Sequence, residues 1–320
     1  MNEPILPGFA EVLTAAARIA PHASVTPVLR SRELDALAGA SLHFKAEHLQ
    51  RSGAFKFRGA CNAVWSLEEA QARNGVVTHS SGNHGAALAL AARSRGIPCH
   101  VVVPEGAVAT KLANIARHGA QLWRCAPTQA AREAECNRIQ QQTGAELVHP
   151  YADARVIAGQ GTAVLELIRQ AGATLDALVV PVGGGGLASG SLLAMQALLP
   201  ECELILAEPA GAADTARSLA AGERLVDFVP DTICDGLRGA LGAPNFALLQ
   251  PRAQVITVDD ADTVKAMRLI WQVMKQTVEP SSAITLAAIL AQPQRFAGRN
   301  VGVVLSGGNV DLDALPWSLA

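Results

Sequence analysis

Lysine is scarce in this chain. Lys45, Lys56, Lys111, Lys265 and Lys275 are the only ones in 320 residues, and arginine supplies the remaining positive charge. The formal net charge is −2 and there is no basic stripe, so nucleic acid is not an expected partner. No segment approaches the uninterrupted apolar length of a membrane span, about 20 residues. The start, Met1-Asn2-Glu3-Pro4, lacks the basic stretch and apolar run of a signal peptide. Cys61, Cys99, Cys125, Cys136, Cys202 and Cys234 are scattered without a C-x-x-C pair, which points to free thiols in a reducing cytoplasm rather than a disulfide framework. His79, His84 and His149 have no cysteine or carboxylate at ligand spacing, which argues against zinc. No fixed-period repeat and no low-complexity linker interrupt the chain.

What the chain has is apolar material. Half of its residues are hydrophobic and 17% are charged, enough for two domains or one large α/β unit. Short apolar runs at Val76–Thr78, His100–Val103, Ala177–Val182, Leu204–Ala207 and Val301–Leu305 read as buried strands. Ala-rich stretches of helical spacing lie between them, at Ala86–Arg95, Lys111–His118, Gly161–Gln170 and Leu187–Leu198. This alternation predicts an α/β fold with parallel sheets flanked by helices. Thr143–Pro150 is the expected crossing between two lobes. Ser80–Gly85, Gly183–Gly186 and Ser306–Asn309 are Gly- and Ser-rich turns that follow strands, where ligands sit in open α/β sheets.

Lys56 stands between Phe55 and Phe57. A lysine among apolar rings loses hydration, its pKa falls, and the neutral amine can attack a carbonyl. A solvated loop lysine is the plain alternative. Gly183–Gly186 follows a strand and precedes a helix, so its N–H groups and the helix dipole form an anion site suited to phosphate. The same run, with Leu187 and Ala188, also satisfies G-x-G-x-x-A, and Glu208 ends the next apolar run where a dinucleotide site places its ribose-binding acid. A nicotinamide oxidoreductase is therefore a rival reading, although it leaves Lys56 and Ser80–Gly85 unexplained.

Taken together, Ser52–Gly59, Thr78–Gly85, Val156–Thr162, Pro181–Gly186, Glu208-Pro209, Asp235-Gly236-Leu237, Glu279-Pro280 and Leu305–Leu312 resemble the fold-type II pyridoxal phosphate enzymes of the serine/threonine dehydratase and serine racemase family. The resemblance implies a tryptophan synthase β-like fold. Residues 1–70 and 151–320 would form a large cofactor-binding domain, and 71–150 a small mobile one. It implies that Lys56 holds the cofactor as a Schiff base and later shuttles the α-proton. Phe55 would pack beside the ring, Asn83 would bond its hydroxyl, Gly183, Gly184, Gly185 and Gly186 would cradle its phosphate, and Ser306 would contact its nitrogen. A hydroxyl partner leaves that nitrogen largely unprotonated, which favours β-elimination over transamination. Ser80, Ser81, Asn83 and His84 would grip the substrate carboxylate. Arg132 matches an arginine that approaches the site in racemase-like members and would pair with a second carboxylate, as in 3-hydroxyaspartate; a solvent-facing helix arginine is the alternative.

The resemblance also implies a metal site made of Glu208, Asp214 and the carbonyl of Ala212, with oxygen ligands suited to Mg²⁺, Mn²⁺ or Ca²⁺. The expected reaction is dehydration of L-serine, L-threonine or 3-hydroxyaspartate to a keto acid and ammonia. The alternative on the same fold is amino-acid racemisation, for which Ser81 would supply the second acid/base. Three positions depart from the pattern: Ala54 replaces a common serine, Tyr151 replaces the asparagine of animal serine racemases, and Gly239 replaces their serine. The last two favour elimination. A homodimer is expected from the family, and feedback control by branched-chain amino acids is not.

Overall fold

The computed structural model describes residues 6–317, and the Met1–Pro4 stretch lies outside them. Ten strands are described: β1 (Val28–Leu29), β2 (Ser41–Lys45), β3 (Val76–Thr78), β4 (Cys99–Pro104), β5 (Gln121–Cys125), β6 (Glu146–Leu147), β7 (Ala177–Pro181), β8 (Glu203–Pro209), β9 (Ala253–Val258) and β10 (Asn300–Val304). They build two sheets, ordered β1-β2-β10-β7-β8-β9 and β5-β4-β3-β6. Apart from β1, which runs antiparallel to β2, all neighbours are parallel. The four-stranded sheet comes from one continuous stretch, residues 76–147, while the six-stranded sheet takes strands from both sides of it.

Both faces of the larger sheet are covered, as parallel sheets require. Val179, Ile205, Val301 and Val303 pack into one core cluster, and Leu178, Val180, Leu204, Leu206 and Val304 into another. The smaller sheet divides in the same way. Val76, Val101 and Val103 face one side, and Val77 and Val102 face Cys136 and Ile139 on the other. Among the described residues, no helix is long and apolar enough to cross a membrane.

The crossing between sheets differs slightly from expectation. Glu146–Leu147 is still sheet, paired with β3, because Glu146 N and Val148 N donate to Gly75 O and Val77 O. The chain leaves the small sheet at Val148 and enters the helix Ala154–Gln170, capped by the Asp153 carboxylate, which accepts from Arg155 N at 2.8 Å.

A buried ion network anchors the helix Lys56–Trp65. Arg58 forks onto Glu47 at 2.7 and 2.8 Å and onto Glu166 at 2.7 and 2.8 Å. Lys45 Nζ donates to Glu166 at 2.6 Å. Two cations and two carboxylates thus neutralise one another, with only Glu166 reaching solvent, the condition under which such burial is tolerated. Across the two sheets, Lys111 pairs with Asp235, and Thr110 Oγ1 donates to Asp311 at 3.5 Å.

Candidate active site

The Lys56 loop is gripped by the Ser306 loop. Ala54 bridges Gly307 antiparallel, Phe55 N donates to Ser306 O at 2.9 Å, and Gly308 N donates to Gly53 O at 3.0 Å. Lys56 opens its helix, and its Nζ lies 5.1 Å from the Phe55 ring centroid and donates to Pro150 O at 3.0 Å. Burial of the amine pulls its pKa down to about 8, against the opposing pull of Glu279. Its place at a helix N-terminus also disfavours positive charge. The solvated-loop reading of Lys56 therefore does not hold.

Pro150 leads directly to Tyr151, which packs against the glycine run. A side chain at Gly184 would stand 2.3 Å from the Tyr151 ring, and Gly185, with φ 91°, precedes the helix Gly186–Leu198. The bare amides of this turn point from a helix start, an arrangement that holds phosphate. Gly239 lies against the same ring, since a Cβ there would meet Tyr151 Cε1 at 3.5 Å. The two departures at Tyr151 and Gly239 are thus in contact.

Ser80, Ser81 and Asn83 are partly exposed at the start of the helix Asn83–Arg95, and His84 is buried beneath them. His84 Nε2 lies 3.2 Å from Val148 O, and burial holds its pKa well below the usual histidine value. The His79 and His149 rings meet edge-on at 5.2 Å, and burial lowers His149 to about 4. The fold therefore gathers histidines that the sequence keeps apart, and holds them neutral beside Lys56.

Asn83 Nδ2 donates to both Glu279 oxygens, at 2.9 and 3.1 Å, and its Oδ1 accepts from Asn309 Nδ2 at 2.9 Å. Glu279 and Asn309 were not singled out as site residues by sequence, although both lie within the resembling blocks. Ser306 Oγ donates to Ser281 O at 3.4 Å. Arg132, on the helix Gln129–Thr143, is not drawn into the Lys56 loop by any hydrogen bond or ion pair among the described residues. Its buried Nε has no partner among the described residues, and its charge adds slightly to the burial that lowers His79. The next residue on that helix, Glu133, lines a cavity of about 230 Å³ with His79, Cys136, Asn137, Leu147 and His149.

Glu208 ends β8, and its two oxygens accept from Thr215 N at 2.7 Å and Ala216 N at 2.9 Å. Asp214 Oδ2 accepts from Leu241 N at 2.8 Å, and its buried Oδ1 has no partner. Burial raises Glu208 to about 7 and Asp214 to about 6. Ala212 belongs to the short turn Ala210–Ala212 between them. Among the described residues, no three His, Cys, Asp or Glu side chains converge on a metal position, so main-chain and water oxygens would have to complete a ligand set.

Residues 19–307 match the model of the pyridoxal-phosphate dependent enzymes, and the chain belongs to that family. It is 47% identical over 314 residues to a beta-hydroxyaspartate dehydratase of Paracoccus denitrificans, covering 98% of this chain and 99% of that one. It is also 47% identical to a serine racemase of Arabidopsis thaliana, over 93% of this chain and 92% of the relative. Among solved structures, maize serine racemase superposes with a TM-score of 0.94 at 42% identity, covering 98% of this chain and 97% of that one. The nicotinamide reading of Gly183–Ala188 is dropped. The site also fits the cofactor chemically. It offers a desolvated amine for an aldehyde and a helix start of bare amides for a phosphate.

Proposed function

We propose that this enzyme dehydrates a 3-hydroxy amino acid, with 3-hydroxyaspartate favoured over L-serine and L-threonine, releasing a keto acid and ammonia. The observation that carries the reading is the Lys56 amine, desolvated beside Phe55 where the Ser306 and Pro150 segments meet. Pyridoxal phosphate, when bound, withdraws electrons from the substrate α-carbon. The remaining work falls to the chain. Phe55 would pack beside the ring, and Gly183–Gly186 would hold the phosphate. Asn83 and Ser306 would hold the ring's hydroxyl and nitrogen. Ser80, Ser81, Asn83 and His84 seat the α-carboxylate at a helix start. Lys56 takes the α-proton, because a near-neutral amine is matched to that transfer at physiological pH. The β-hydroxyl then leaves with that proton as water, and hydrolysis of the remaining enamine, by way of its imine, gives the keto acid and ammonia.

Arg132 supports the choice of substrate. A guanidinium without a carboxylate partner among the described residues, next in sequence to the cavity wall at Glu133, suits a second carboxylate. Residues 71–150, which hold the smaller sheet, would have to move as a unit to bring it in. Racemisation is kept as a second reading because Ser81 stands on the same loop and the serine racemase relatives match the chain end to end. A panel of serine, threonine and 3-hydroxyaspartate stereoisomers, scored for keto acid and for inverted amino acid, decides between them. Keto acid is expected to dominate, with 3-hydroxyaspartate turned over fastest. Arg132→Ala should cut kcat/KM for 3-hydroxyaspartate by roughly 10-fold or more, the worth of one charge-assisted pair, and spare serine. Inversion without keto acid would overturn the dehydratase reading.

Glu208, Asp214 and the Ala212 carbonyl are proposed to hold Mg²⁺, Mn²⁺ or Ca²⁺. Two desolvated carboxylates with raised pKa, one bearing an unpartnered oxygen, support this. Protons compete with the metal until both groups ionise, so metal affinity should rise as pH climbs through about 6 to 7 and then level off. Calorimetric titration with Mg²⁺ across that range tests the slope, and Glu208→Gln should flatten it. Affinity independent of pH would remove the assignment. A homodimer in the cytoplasm completes the proposal, from the family resemblance and the unpaired, mostly buried thiols.

A further inference from the structure

Glu279 is buried, with 4% of its surface exposed, and lies outside the groups given a role above. Its two oxygens accept from Asn83 Nδ2, and Oε2 also accepts from Asn309 N at 3.2 Å. Its own N–H donates to Gly307 O at 3.0 Å, so the carboxylate is fixed to the strand turn that carries Ser306. Gly307 leaves it no slack, because a Cβ there would stand 2.6 Å from Oε1. Asn309 closes the circuit by donating to Ser52 O and Asn83 Oδ1, both at 2.9 Å. One carboxylate thus joins the first residue of a helix on the smaller sheet to the end of β10 and to the Lys56 loop.

We propose that Glu279 is a positioning residue that fixes the Asn83 carboxamide, with its N–H face held inward, for contact with the cofactor ring. This rests on the reading of Asn83 as the partner of the ring hydroxyl. An amide can flip by half a turn and exchange donor for acceptor. Two acceptors on one side and a donor on the other leave Asn83 a single satisfied orientation. One Nδ2 hydrogen shared between the two Glu279 oxygens leaves the other for the ring.

Charge around Glu279 is consistent with this. Burial, and after it Asp235, raises its pKa, while the Asn83 and Asn309 donors and then Lys111 pull the other way and favour the carboxylate, and Lys56 feels its field. A carboxylate kept out of water with only neutral donors in direct contact is costly, and is retained where its geometry is needed.

Cofactor dissociation constants for the wild type, Glu279→Gln, Asn83→Ala and the double variant test the proposal, read by visible absorbance with unfolding temperatures of the apoproteins alongside. Glu279→Gln is expected to weaken binding about 10-fold or more in the wild-type background and less than about 2-fold in Asn83→Ala, because residues acting through one contact are not additive. Gly307→Ala, which displaces the carboxylate by another route, should weaken binding in the same way. An equal loss in both backgrounds, or a lowered unfolding temperature with unchanged cofactor affinity, would overturn the proposal. Unchanged affinity in Asn83→Ala would instead remove the Asn83 reading beneath it.

Discussion

Replacing Lys56 by alanine will abolish keto-acid formation, with an expected loss of at least about 10³-fold, since the variant forfeits both a nucleophilic anchor and the general base. Borohydride reduction of the wild type should fix the cofactor's mass on the peptide that contains Lys56, and the variant should retain none after reduction. The pKa of about 8 sets a second expectation. Only the neutral amine reacts, and it is roughly a tenth of the population at about pH 7 and nearly all of it at about pH 9. Reconstitution of the apoenzyme with cofactor should therefore accelerate about 10-fold over that interval and then level off. A rate that is flat with pH, or elimination surviving in Lys56→Ala, would contradict the role.

The largest effect on stability is expected at Arg58. Arg58→Ala leaves Glu47, which is fully buried, with no ion pair among the described residues and only the field of Lys45, and leaves Glu166 with Lys45 alone. Removing one partner of a buried pair costs about 3–5 kcal/mol, because the remaining charge stays desolvated. The unfolding temperature should fall by roughly 5–15 °C. Glu47→Gln added to Arg58→Ala should recover part of the loss, since it removes the stranded charge. Thermal unfolding of the apoproteins separates this from cofactor effects. A double variant no more stable than Arg58→Ala would show that packing, not charge, dominates there.

The parts of the fold legible in the sequence are those buried on both faces. β3, β4, β7, β8 and β10 are interior strands, and their side chains read as apolar runs. The four edge strands were not legible. β5 and β9 alternate with exposed positions, and β1 and β6 are only two residues long. β2 is interior but hides His43 and Lys45, whose burial depends on partners far along the chain, such as Glu166. The site divides in the same way. Lys56, Gly183–Gly186 and Ser80–Gly85 announce themselves by local composition. Glu279 does not, because its meaning comes from Asn83, 196 residues away in sequence. The gathering of His79, His84 and His149 is likewise a product of the fold, as their spacing carries no sign of it.

Tyr151 has a consequence for how this site can diverge. Its ring or backbone touches the space above Gly184, Gly186, Gly239 and Gly242. A larger residue at Gly184 is barred while the ring is present, one at Gly186 meets the Tyr151 backbone and Cβ, and a serine hydroxyl at Gly239 would have to share the ring's space. Positions 151 and 239 therefore behave as one locus rather than two. A lineage moving between the tyrosine–glycine and asparagine–serine pairs is expected to change the two positions together, since a side chain at 239 would lie in van der Waals contact with residue 151.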